Sequence, residues 1–94
     1  MTTIEIKPNK IYVHGHSGYD VIGKDIVCAA ISTLTEATYN YLLATQNKVK
    51  CEESNGVYII NLLNLNKNGK QIILCFEDMI NDLIGQYPKY LRRK

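Results

Sequence analysis

Residues 48–64, KVKCEESNGVYIINLLN, decide the fold. Two runs suited to strands, 48–52 and 56–64, flank the turn signal Ser54-Asn55-Gly56, and that arrangement predicts a hairpin. Upstream, Asp25 is a good N-cap, and residues 26 to about 46 carry the apolar spacing of a helix. Val27, Ile31, Leu34, Ala37, Tyr41 and Ala44 form its expected core stripe. Downstream, NKNG (66–69) predicts a turn and residues 70 to about 86 a second helix, closed by Gly85 and Pro88. Its inward residues are expected to be Ile73, Phe76, Ile80 and Leu83. Near the start, TIEIK (3–7) and KIYVH (10–14) alternate as half-buried strands do, across a break at Pro8-Asn9. The order is ββαββα, an α+β fold with a mainly antiparallel sheet and two helices.

Ninety-four residues suffice for one domain, expected over 1–94, with a core small enough that a homodimer would relieve it. The composition, 46% hydrophobic and 21% charged, is that of a folded chain rather than a disordered one. A net charge of +2 with both signs scattered gives no reason to expect nucleic-acid binding. The single basic cluster, Arg92, Arg93 and Lys94, reads as a solvated tip. MTTIEIKPNK lacks the apolar core of a secretory signal, and no run approaches the ~18 apolar residues of a membrane span. Three cysteines, Cys28, Cys51 and Cys75, form no CxxC pair, and their odd number suits free thiols in a reducing compartment. A cytoplasmic protein with no membrane contact is expected.

Chemistry concentrates in GHSGYDVIGKDIVCAAIS, residues 15–32. Residues 15–24 form a loop whose glycines, Gly15, Gly18 and Gly23, predict mobility in the absence of a ligand. Asp25, Cys28, Ser32 and Thr35 then share one helix face beside the core stripe. Cys28 falls in the first turn, near unpaired N–H groups and the positive end of the helix dipole, which favour a thiolate. The same N–H groups are placed to hold an oxyanion. His16, on a loop able to reach the helix start, is the nearest base. Asp20, Asp25 and Ser32 are each candidates to orient it, and Tyr19 is placed to cover a bound peptide. A Cys and a His twelve residues apart occur in many chains by chance, so spacing alone does not establish catalysis.

Other arrangements carry less. His14, His16, Cys28 and Cys51 are potential zinc ligands, but no C-x₂₋₄-C pair accompanies them, and no metal or cofactor is expected. His14 reads as an exposed or half-buried strand residue, Cys51 as a strand filler and Cys75 as core. Tyr39, Tyr41, Tyr58, Tyr87 and Tyr90 fall at packing or helix-end positions suited to core or a dimer interface.

The stretch 15–32 resembles the signature of the Prp family of ribosomal-processing cysteine proteases, in which GHA and a short Gly-containing loop precede G-x-D-I-V-C-A-A-x-S. Gly15, His16, Gly23, Asp25, Ile26, Val27, Cys28, Ala29, Ala30 and Ser32 carry the match, and QYPKYL (86–91) is similar to the family's C-terminal pattern. Ser17 stands where the family usually has Ala. The resemblance implies a homodimeric α+β fold with His16 and Cys28 as a catalytic dyad and a protein as substrate. The implied activity removes a short N-terminal extension from a large-subunit ribosomal protein, after a Phe-Phe pair and before Ala. Related phage proteins imply a capsid or scaffold substrate instead. Ile, Asn and Lys make up 30 of the 94 residues, as in a low-GC bacterium or its phage. The rival expectation is a non-catalytic dimeric binding module on ribosomes or phage assemblies, with an unreactive Cys28.

Overall fold

Period-two alternation sets Ile4 and Ile6 on one side of β1 (Thr2–Lys7), and Ile11 and Val13 repeat the pattern in β2 (Lys10–His14). The computed structural model describes residues 1–21 and 25–94. A helix, α1 (Ile26–Ala44), follows, then the hairpin of β3 (Lys48–Ser54) and β4 (Val57–Asn64), then α2 (Lys67–Gln86). The expected ββαββα order holds through these six elements, and a seventh, β5 (Leu91–Arg93), completes the sheet.

The strands lie in the order β3-β4-β2-β1-β5. Neighbours are antiparallel except β1 and β5, which run parallel. Register brings Ile4 opposite Val13, Ile11 opposite Ile60 and Thr2 opposite Leu91, so the apolar side chains share one face. Val27, Ile31 and Leu42 of α1 and Phe76 and Ile80 of α2 close over that face to form the core.

Three expectations need correction. The stripe of α1 is turned toward Thr: Val27, Ile31, Thr35, Thr38 and Leu42 are buried, while Ala37, Tyr41 and Ala44 are exposed and Leu34 is half-buried. Thr35 Oγ1 donates to the Ile31 carbonyl at 2.7 Å and Thr38 Oγ1 to that of Leu34 at 2.8 Å. With its hydroxyl satisfied by its own helix, a threonine packs as a small apolar residue. Cys75 is exposed rather than core, because the neighbouring Phe76 occupies the inward direction. The C-terminal tip is not simply solvated: the Lys94 N–H donates to the Ile4 carbonyl, and Arg92 Nε donates to Thr3 Oγ1, each at 2.9 Å. Arg93 pairs with Glu77 of α2.

NKNG also begins the second helix instead of making a free turn. Asn66 is its N-cap, accepting from the Gly69 N–H at 2.8 Å, and the buried Asn47 accepts from the Asn66 N–H at 2.8 Å. Asn47 thus ties the exit of α1 to the entry of α2.

Candidate active site

A cleft of about 190 Å³ opens where β2 ends, beside the start of α1 and the β3–β4 turn. His16 and Cys28 both line it, with Ser32 from α1, Glu53 and Ser54 from β3, Gly56 from the turn and Tyr58 from β4. Of the residues singled out in the sequence, it gathers Gly15, His16, Cys28 and Ser32. Thr35, one helical step further along the same expected face, is buried in the core.

Two close approaches place the imidazole. Gly15 has φ +95°, and a Cβ there would lie 2.5 Å from the Met1 carbonyl oxygen. Gly56 has φ +74°, and a Cβ there would lie 3.1 Å from His16 Nε2. Both positions need glycine, and one of them exists to let the ring sit over the hairpin turn. Replacing Gly15 by Ala is therefore expected to destabilise the fold by about 1–3 kcal/mol and to displace His16. Urea unfolding and peptide cleavage measured on Gly15→Ala check this; parental values in both would contradict it.

Asp25 organises the other side. Its Oδ1 accepts from the N–H groups of Val27 and Cys28 at 3.0 and 2.9 Å, so it caps α1 as expected. Its Oδ2 reaches into the loop, accepting from Ser17 Oγ at 2.5 Å, the Tyr19 N–H at 3.1 Å and the Asp20 N–H at 3.4 Å. Burial would raise this carboxyl, but the hydrogen bonds from Ser17, Cys28, Asp20 and Tyr19 outweigh it and hold the group at about 2.

The linkage has a definite sign. A carboxyl depressed in the folded state adds stability that is complete above the ordinary value of 3.8 and lost as pH falls through about 2. Asp25→Asn should keep the cap but flatten the urea-midpoint profile over this acid window. A parental slope in that variant would contradict the assignment.

The same bonds bear on the loop and on the helix start. In the described part of the loop, residues 15–21, Ser17, Tyr19 and Asp20 are tied to the helix start by one carboxylate. Gly23 lies outside the described residues. The N–H groups of Val27 and Cys28, expected to hold an oxyanion, are already committed to Asp25. That charge also offsets the positive end of the helix dipole.

Tyr19 packs edge-on against Tyr87 and Tyr90, with centroids 5.8 and 5.2 Å away, and keeps 40% of its surface exposed. Asp20 accepts from the Val21 N–H at 2.7 Å and turns the loop. His14 is half-buried, as expected, stacked on Tyr12 with its Nε2 3.6 Å from a Glu5 carboxylate oxygen. Among the described residues, no three His, Cys, Asp or Glu side chains cluster to hold a metal.

Two residues of the site carried no catalytic signal in the sequence. Ser17 is buried at 3% exposure and touches both Asp25 and Cys28. Tyr58 reaches the cleft from β4. Burial, the neighbouring Cys51 and the negative Glu36 and Glu53 push its phenol above the usual range, keeping it neutral. The sequence marked it only as a packing or interface residue.

The profile of a family described as Cysteine protease Prp matches residues 1–92. Curated proteins give no match. Among solved structures, the essential ribosomal processing protease Prp from S. aureus, in complex with a covalently linked product peptide, superposes with a TM-score of 0.90 at 17% identity. That alignment covers 100% of this chain and 98% of the other. The same protease in complex with a substrate peptide gives 0.82 at 16% identity, covering 99% and 95%. SMU.848 from Streptococcus mutans gives 0.74 at 25% identity, covering 99% and 90%.

Proposed function

The chain belongs to the Prp family of cysteine proteases, and from that premise we propose that Cys28 is its nucleophile and His16 its general base and acid. The observation that carries the assignment is their meeting on one cleft, supplied by separate elements, in a protein of this family. The Cys28 thiol gives its proton to the His16 imidazole, and the sulfur attacks the scissile carbonyl carbon. The resulting imidazolium returns the proton to the departing amine nitrogen as the C–N bond breaks. Water, deprotonated by the same imidazole, then hydrolyses the thioester. Side chains and water suffice for these steps.

The substrate we propose is the N-terminal extension of a large-subunit ribosomal protein, cut after an aromatic pair and before Ala. A phage capsid or scaffold protein bearing a similar segment is the other member of this substrate class. The likeness to a ribosomal processing protease of S. aureus, held with substrate and product peptides, supports this reading. Action in the cytoplasm, where ribosomes are made, follows from it. Among the described residues no helix is long and apolar enough to cross a membrane.

We also propose a homodimer, since the core is small and a 590 Å³ apolar groove between α1 and α2 is lined by Tyr41 and Met79. Light scattering at micromolar concentration should give twice the monomer mass of 10.7 kDa.

Incubation with a peptide containing Phe-Phe-Ala tests the activity. Mass spectrometry should find cleavage between the second Phe and Ala. Persistence of the intact peptide would overturn the specificity.

A further inference from the structure

We infer that Ser17 is a positioning residue that holds Cys28 in its protonated form in the free protein, acting as a hydroxyl bridge to Asp25. This deepens the proposed function and rests on Cys28 being the nucleophile. The bonding of one oxygen atom carries it. Ser17 Oγ donates to Asp25 Oδ2 at 2.5 Å and accepts from the Cys28 thiol at 3.3 Å and from the Tyr19 N–H at 3.4 Å. A hydroxyl has one proton and two lone pairs, and here all three are engaged.

The direction of the bridge follows from the acceptors available. A carboxylate accepts more strongly than sulfur, so the serine proton stays on the Asp25 side. A lone pair therefore faces the sulfur, and that arrangement is satisfied only while Cys28 carries its proton. Loss of the proton would set a sulfur anion against an oxygen lone pair, with the Asp25 carboxylate behind it. The Ser17 backbone N–H, which donates to Cys28 Sγ at 3.4 Å, acts in the opposite sense. It remains in any side-chain variant, so replacing Ser17 isolates the hydroxyl.

The other titratable groups on the cleft are His16 of the loop, Glu53 of β3 and Tyr58 of β4. A change at Ser17 alters none of them. For catalysis the thiol must turn from Ser17 toward His16, so the hydroxyl lowers the reactivity of the free thiol toward oxidants and stray electrophiles. Peptide binding in the cleft supplies the rearrangement.

The test is alkylation of Cys28 by iodoacetamide between about pH 5 and pH 9, read by mass spectrometry of the Cys28 peptide so that Cys51 and Cys75 do not contribute. Ser17→Ala should quicken alkylation at neutral pH by about three- to fivefold, the worth of one modest hydrogen bond, and should move the profile to lower pH. Asp25→Asn reads the bridge from its other end. Loss of the carboxylate charge weakens the acceptor that holds the serine proton away from the sulfur, and alkylation should again quicken. In the Ser17→Ala background the Asp25→Asn change should quicken alkylation less than it does in the parent, because only the direct effect of the lost charge then remains.

Unchanged or slower alkylation in Ser17→Ala overturns the inference, as does an equal effect of Asp25→Asn with and without Ser17. Circular dichroism verifies the fold of each variant, and Ser17→Gly removes the same hydroxyl if Ser17→Ala does not fold. Parental cleavage by Cys28→Ala would instead remove the proposed nucleophile, and the alkylation comparison does not depend on cleavage.

Discussion

Cys28→Ala is expected to abolish cleavage of the Phe-Phe-Ala peptide while leaving the fold in place. The sulfur forms the covalent bond on which both half-reactions depend, and a methyl group has no lone pair to replace it. Removal of a catalytic nucleophile elsewhere lowers turnover by on the order of 10⁴-fold or more, and a loss of at least about 10³-fold is expected here. The structural cost is small. Cys28 is half-buried, and among the described residues its sulfur makes two long hydrogen bonds, both with Ser17. Losing them should lower stability by about 1 kcal/mol. Urea unfolding beside the cleavage assay separates the two effects. Cleavage at the parental rate would show that another group attacks the peptide.

His16→Ala should remove about 10²–10⁴-fold of the activity, the usual worth of a positioned general base and acid. It should leave stability almost unchanged, because the ring is exposed and stands over a glycine rather than in the core. The cleft retains its thiol, so Cys28 should still be open to alkylation. Cleavage at the parental rate in His16→Ala would remove His16 from the mechanism.

Much of the fold was legible because its signals are local. The Ser54-Asn55-Gly56 turn set the hairpin, and alternation in β1 and β2 marked their inward faces correctly. Ile73, Phe76, Ile80 and Leu83 identified the buried side of α2, where residues that count as hydrophobic are also those that pack. The stripe of α1 was misplaced for a related reason. Hydropathy counts Thr35 and Thr38 as polar and Tyr41 as apolar, whereas the backbone carbonyls one turn back neutralise the threonine hydroxyls. At the site, the Gly15-His16 and Asp25–Cys28 blocks were recognisable in the sequence. What Asp25 does was not: its carboxylate was available for capping, for orienting a base or for neither, and hydrogen bonds to three loop residues and two helix N–H groups determine the outcome.

By itself, then, the amino-acid sequence determined the order of the first six elements, the family signature and the placing of a His in the loop and a Cys at the helix start. These depend on periodicity, turn chemistry and residue type, all readable within about twenty positions. Tertiary structure alone decided that residues 91–93 form an edge strand, that the hairpin turn passes beneath His16, and that Ser17 links Asp25 to the thiol. The physical reason is common to all three. Leu91 pairs with Thr2, and Gly56 meets His16, through backbone hydrogen bonds and close packing between distant segments. Such contacts need only a donor, an acceptor or an absent Cβ at the right point in space, and none of these leaves a pattern along the chain.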